Sequence, residues 1–435
     1  MGTEFIVSFM ENRDSTDTDL SLYPVTFSAS TDINVKVEVR MNTSDDDVIQ
    51  SFPLRTGERV VARIPPEVEM VGVEGSSSKA VKVTSNRKLS LFGMNSVTGS
   101  CDGFLALPVS ALGTDYYTVS FFPPDHKTQI SLVALYNDTQ VNVTLRLPTR
   151  PGIYIKWNGV DYTNSLNRNM IPIVMNELDA VQLQDNSDLT GTRVTSNRPL
   201  GVFTGNDYSR VGSSTSPMNG LLASHLVEQI PPVSAWGRQF HVVPLPETDA
   251  GYALKVVASL SNTTVTLSNA STEWQLQVMV NPGDFRTIYF TNRQFVTVRT
   301  TKPVLLAQFA ESSFTSSPTM MVIPPVEQYK SSYSFTTGEN SSTEHFLLLV
   351  VDLLAVPRLQ LDGELVNQTG WTQISNNSRR WGNYIRVTSG VHVVTQLDGI
   401  PFAAYLYGQS VFGCAYAFPA GLCLQPVQDA KVSFF

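Results

Sequence analysis

The feature that most constrains this chain is internal repetition, because three short markers recur in the same order four times. The first marker opens each copy. It reads SASTDINVKVEV from Ser28, VALYNDTQVNVTL from Val133, VASLSNTTVTL from Val257 and VVDLLAVPRLQL from Val350. The second reads VKVTSNRKLSLF from Val81, TRVTSNRPLGVF from Thr192, VTVRTTKPVLLA from Val296 and IRVTSGVHVVTQ from Ile385. The third is PVSALG from Pro108, PVSAWG from Pro232, PVEQYK from Pro325 and a degenerate PAGLC from Pro419. These markers divide the 435 residues into units 1–120, 121–243, 244–336 and 337–424, with a tail at 425–435. The second marker places Val83, Val194, Val298 and Val387 at equivalent buried positions.

Inside a unit the apolar period is two. Ile33, Val35, Val37 and Val39 alternate with polar residues, and so do Val141, Val143, Leu145 and Leu147. That is the signature of strands with one buried face. Asn158-Gly159 and Asp362-Gly363 interrupt such runs and suit two-residue hairpin turns, which need positive φ. Asn86-Arg87 and Asn197-Arg198 read as further turns ahead of an inner strand. Prolines at Pro24, Pro53, Pro123-Pro124, Pro231-Pro232 and Pro324-Pro325 fit strand ends, where a missing N–H costs no ladder bond. No segment carries sustained helical periodicity. The expected fold is all-β: four tandem antiparallel β-sandwich repeats of jelly-roll type, since each unit is too long for a single propeller blade of about 40–50 residues.

Composition narrows the function. Hydrophobic residues make up 42% of the chain and charged residues 16%, enough apolar material for large cores. A net charge of −8, with no basic run longer than Arg379-Arg380, argues against nucleic acid. No apolar stretch reaches the ~18 residues of a spanning helix. The longest, Phe346–Val351 followed by Leu353–Val356, suits a buried strand pair. Eight N-x-S/T sequons, at Asn42, Asn137, Asn142, Asn262, Asn269, Asn340, Asn367 and Asn376, are candidate glycosylation sites. Of three cysteines, Cys414 and Cys423 flank the Phe418–Gly421 turn, so they are expected to bridge and to leave Cys101 free.

Chemistry-bearing motifs are few. His225 and Glu228 form a His-x-x-Glu pair, but residues three apart on a strand face opposite sides, which favours a structural histidine over a metal ligand. There is no nucleophile elbow, no phosphate loop and no zinc spacing. Asp14, Asp17 and Asp19, and likewise Asp45–Asp47, lack EF-hand spacing. No cofactor and no catalytic residue are expected. Trp236 follows a proline-rich turn and reads as core, whereas Trp371 and Trp381 sit among Asn and Ser, where an exposed ring could stack on a sugar. The one long polar insertion is Asp207–Ser224, whose Tyr208, Arg210, Met218 and Leu221 are types able to anchor an interface. Deleting residues 209–220 is expected to leave stability nearly unchanged.

The central stretch, Asp188–Gly205 with an Asp-Leu-Thr-Gly entry, then His225–Gln229, then Pro232–Gly237, resembles the N-terminal domain of the IgG Fc-binding protein family. Gly2–Phe5 is similar to that domain's start, which implies a fragment, or a gene model without its leader. The resemblance implies a secreted, extracellular, non-catalytic binding or adhesion module. Its partner would be a protein or glycoprotein, with a mucin-like one among the options and IgG Fc only by family likeness. A structural spacer and a glycan-acting enzyme are the alternatives. An enzyme would need two carboxylates facing across a cleft about 5–10 Å wide.

Overall fold

The computed structural model describes residues 1–13, 17–26, 35–42, 47–55, 57–123, 126–148, 153–165, 167–212, 221–246, 250–291, 293–339, 342–376, 378–410 and 413–424. Regular structure within them is antiparallel β-sheet with a few short 3-10 turns. The chain is an all-β repeat protein. The alternation in Thr139–Thr144 and Met170–Met175 becomes alternating burial, and the two strands pair in register. Asn158-Gly159 and Asp362-Gly363 turn their hairpins with positive φ at both residues, as expected.

One pairing scheme recurs four times around a long strand. Val81–Val97, Arg193–Ser209 and Val296–Ala310 each bend midway and pair with different neighbours before and after the bend. The first half of Val81–Val97 takes Gly2–Val7 and Val35–Asn42, while the second half takes Asp19–Val25 and Ser100–Ala106. Equivalent partners flank Arg193–Ser209 and Val296–Ala310. In the fourth copy the long strand is broken, into Val391–Gln396 and Ala403–Ser410.

This pairing changes two sequence expectations. Asn86-Arg87 and Asn197-Arg198 are not hairpin turns but the exposed corner within a continuous strand. The corner is held by one repeated bond, from a hydroxyl to the carbonyl two residues on: Ser85 to Arg87 (2.6 Å), Ser196 to Arg198 (2.6 Å) and Thr300 to Lys302 (2.7 Å). A side chain that satisfies the backbone where the ladder breaks explains why a small hydroxyl recurs there.

The second change concerns the valines. Val83, Val194 and Val298 are buried at one register position, opposite Phe5, Tyr116 and Phe240. Val387 is not their counterpart: it ends the strand Arg380–Val387, which pairs with Thr343–Asp352. The position belongs to Val394, fully buried opposite Tyr333. A shared tyrosine lock supports this. The Tyr116 hydroxyl donates to the Leu200 carbonyl (2.7 Å), and that of Tyr333 donates to the Phe402 carbonyl (2.5 Å). The similarity of IRVTSG to TRVTSN therefore shifted the fourth alignment by a strand.

The PVSA marker also acquires a reason. Gly2, Gly113 and Gly237 open successive copies, and a Cβ on each would lie 2.2–2.6 Å from the Cβ of Pro108, Pro232 or Pro325. Each proline turn, at the end of a copy, thus seats on the opening glycine of the same copy. Only a residue without a side chain permits that approach.

Four hydrophobic clusters each combine the interior of one segment with a sheet face of the next. Phe5, Val83 and Phe104 cluster with Phe203 and Val227; Val194 and Leu226 with Leu305 and Met320; Val298 and Met321 with Leu348 and Tyr407. The fourth joins Leu347, Leu406 and Phe418 back to Tyr23, Phe92 and Leu105. Ser100–Ala106 touches both Ser224–Gln229 and Ala415–Pro419, and Met320–Val322 touches the same two strands. The chain closes on itself.

A disulfide fastens the closure, and it is not the expected one. Cys101 bridges Cys414, with Cα atoms 5.1 Å apart and a sequence separation of 313, while Cys423 is free and exposed. Closeness in sequence misled, because Cys414 precedes and Cys423 follows the strand Ala415–Pro419. An extended strand of five residues separates its ends by about 15 Å, beyond the reach of a disulfide.

Candidate functional site

Two regions carry the polar chemistry of the molecule: a buried hub where the four copies meet, and the Asp207–Ser224 insertion at the rim. The hub centres on Asp102, fully buried in the strand Ser100–Ala106. Its Oδ1 accepts from the Gly103 N–H (2.9 Å), the Thr319 hydroxyl (3.0 Å) and the Ala417 N–H (3.4 Å). Its Oδ2 accepts from the Met320 N–H (3.1 Å) and the Val227 N–H (3.3 Å). One carboxylate thereby collects donors from all four copies. Burial pushes its pKa well above the usual carboxylate range, against the pull of these donors.

Glu228 is likewise buried and raised, by burial and then by the nearby Asp102 charge, and its Oε1 accepts from the Val322 N–H (3.0 Å). His225 is fully buried on the same strand, its Nδ1 3.3 Å from the Asp207 carbonyl, and burial lowers its pKa to about 4. The His225–Glu228 pair is divided as strand geometry requires. The histidine secures the base of the insertion, and the glutamate ties two copies together.

A second buried charge joins neighbouring copies. Lys255 donates to the carboxylate of Asp188, to the Ser120 carbonyl (2.7 Å) and to the Thr190 hydroxyl (3.1 Å). Asp188 and Thr190 belong to the Asp-Leu-Thr-Gly stretch, so that motif is a lysine cradle. Burial lowers the Lys255 pKa and the Asp188 charge opposes the shift. Sequence reading passed over Asp102 and Lys255, although each left a signal. Each is a lone charge within an otherwise apolar strand, SCDGFLA and YALKVVA, and such a charge requires a built partner.

At the rim, Tyr208 lies under the Arg13 guanidinium (5.4 Å) and edge-on to His126 (5.0 Å). Asp207 beside it accepts from the backbone N–H of Lys127 (2.8 Å) and of Tyr208 (2.6 Å). Arg210 donates from Nε to the Leu221 carbonyl (3.0 Å), across the neck of the insertion. Tyr208, Arg210 and Leu221 are all half-buried there, and Met218 lies outside the described residues. The neck is stitched to a distant segment. Val211 and Ser312 exchange bonds (2.9 and 2.8 Å), Leu222 donates to the Ser313 carbonyl (2.9 Å), and Tyr289 donates to the Gly212 carbonyl (3.2 Å). Since Ser209 and Val211 are buried, a cut through 209–220 would remove anchors and lower stability, contrary to expectation.

The remaining candidates sort by burial. Trp236 is core, 2% exposed, its indole N–H donating to the Pro231 carbonyl (3.0 Å). Trp371 is half-buried, with its N–H on the Asn367 carbonyl (3.1 Å). Asn137, Asn142, Asn262, Asn367 and Asn376 are exposed, and Asn269 is half-buried. Asn340 and the Asn42 side chain lie outside the described residues. Among the described residues, no group of three or more His, Cys, Asp or Glu is placed to hold a metal, and no helix is long and apolar enough to cross a membrane.

Comparison with known proteins fits these features. The IgGFc binding protein family matches residues 102–408, a span from the hub aspartate to the last inner strand. The human IgGFc-binding protein is 24% identical over 385 residues, covering 83% of this chain and 6% of the human protein. The chain thus spans a small part of that relative's length. On this evidence it belongs to the IgGFc-binding protein family.

Proposed function

We propose that this chain is a secreted, extracellular, non-catalytic binding or adhesion module, built from four jelly-roll-like β-sandwich repeats closed into a ring. The observation that carries the reading is the closed circuit itself, within a family named for binding. Inner faces are consumed by copy-to-copy packing, and the charges at the hub are buried, so recognition falls to the rim loops. The disulfide across the closure supports an oxidising compartment. Repeat limits near Gly2, Gly113, Gly237 and Lys330 follow the pairing scheme more closely than the marker-based limits at 121, 244 and 337.

The partner is a protein or glycoprotein, and the name of the human relative makes the Fc part of IgG the first candidate to test. The contact surface is the Asp207–Ser224 insertion, with Tyr208, Arg210, Met218 and Leu221 as its anchors. Immobilised IgG Fc and mucus glycoprotein fractions are the probes. Tyr208→Ala combined with Arg210→Ala should weaken capture by about tenfold or more, the typical cost of losing interface anchors. Unaltered capture by a folded variant would remove this loop, and no capture by the wild-type chain would favour a structural spacer.

A further inference from the structure

The strand Thr343–Asp352 does not continue into a second buried strand. Asp352 caps a 3-10 turn over Leu353–Arg358, its carboxylate accepting from the Leu354 N–H (3.0 Å). The cap holds Leu353 and Leu354 outward, 45% and 70% exposed. They form one wall of a groove of about 530 Å³, lined also by Trp381, Gln373, Asn376, Ser378 and Arg379. Trp381 is half-buried on the strand Arg380–Val387, opposite Val351 and Gln373. Two fixed leucines beside an indole, rimmed by amide, hydroxyl and guanidinium groups, call for a covering group that is apolar on one face and polar at its edges.

A sugar ring has that character, and the groove carries the residue that would attach one. Asn376 is exposed at its lip, with Ser378 two positions on completing a sequon. Bonds tie the described residues on either side of them. Ile374 N–H donates to the Arg380 carbonyl (3.1 Å), Ser378 N–H to the Ser375 carbonyl (3.0 Å), and Arg380 N–H to the Ser378 hydroxyl (3.0 Å). We propose that Asn376 is N-glycosylated and that the first N-acetylglucosamine units fold back into this groove. The C–H face of the sugar covers Leu353, Leu354 and Trp381, and its hydroxyl and acetamido groups meet Gln373 and Arg379. Of the other exposed sequons, Asn367 also lines a groove, about 380 Å³ beside Leu365 and Tyr384, but its Oδ1 already accepts from the Thr369 N–H and hydroxyl (3.0 Å each), and that groove has no indole in its lining.

The test uses the whole chain secreted from glycosylating cells. Glycopeptide mass spectrometry reads occupancy at Asn376, and hydroxyl-radical footprinting reads Leu353, Leu354 and Trp381 before and after enzymatic removal of N-glycans from the folded protein. Occupancy at Asn376 is expected, with footprinting at the three residues rising at least twofold on glycan removal. Asn376→Gln should reproduce the rise, whereas Ser378→Thr, which preserves the sequon and the hydroxyl, should not. An unoccupied Asn376 while other sequons are filled would overturn the proposal, and so would occupancy without a change in footprinting.

Discussion

The hub and the rim insertion are both polar, yet they manage polarity in opposite ways. At the hub a single carboxylate gathers five donors from four parts of the chain, out of reach of water. At the rim, Arg210 and Leu221 bond each other across the neck, Tyr208 packs under Arg13, and all three stay half-exposed. A group whose partners come from distant segments is costly to alter, because every partner is stranded together. A group whose partners are its neighbours can change with little effect on folding. The rim is therefore where a repeat protein can vary its contacts, and the hub is what makes that variation tolerable.

The largest expected effect tests the hub directly. Asp102→Asn keeps the shape, but its amide nitrogen would face N–H donors that now meet an acceptor. Stranding one or two buried donors should cost about 3 kcal/mol or more, read as a lowered denaturation midpoint, and a loss below about 1 kcal/mol would mean that the copies do not depend on this carboxylate. Next comes the closure. Cys101→Ser removes a bridge with a sequence separation of 313 and should cost about 2–5 kcal/mol, with proteolysis starting at the junction of the first and last copies. Cys423→Ser should change neither.

A third measurement sharpens the register. Val394→Ala should destabilise by about 2 kcal/mol, as buried large-to-small changes do, with the 8% exposed Val387 costing less. The reverse order would restore the marker-based alignment.

The smallest effect concerns pH. Burial raises the Glu228 pKa, so the folded state holds a proton that the unfolded chain releases. That contribution is present at acid pH and is lost as pH rises through the folded value. His225, lowered to about 4, works the other way: its contribution is full above the unfolded value of about 6.5 and is lost as pH falls toward 4. Glu228→Gln should therefore gain stability relative to wild type at pH 8 compared with pH 5, measured by Tm. Equal shifts at both pH values would show that the glutamate titrates normally. Tyr208→Ala, by contrast, should cost about 1 kcal/mol or less, since it loses only half-exposed contacts with Arg13 and His126.

What the sequence by itself determined was local or repeated. Period two gave strands, Asn158-Gly159 and Asp362-Gly363 gave hairpins, and the recurring markers gave an all-β repeat pattern within a recognisable family. Each of these depends on residues within about ten positions of one another, where pattern and backbone geometry are directly linked. The tertiary structure decided what depends on distant partners. It set the bend that turns Asn86-Arg87 into a strand corner, the placing of Val394 rather than Val387, and the Cys101–Cys414 bridge. It also brought the four copies round so that one aspartate binds them all. Spacing along a chain says which residues share a strand. Which strands share a core is set by burying the apolar faces that each copy leaves open, and that selection is made only when the last copy meets the first.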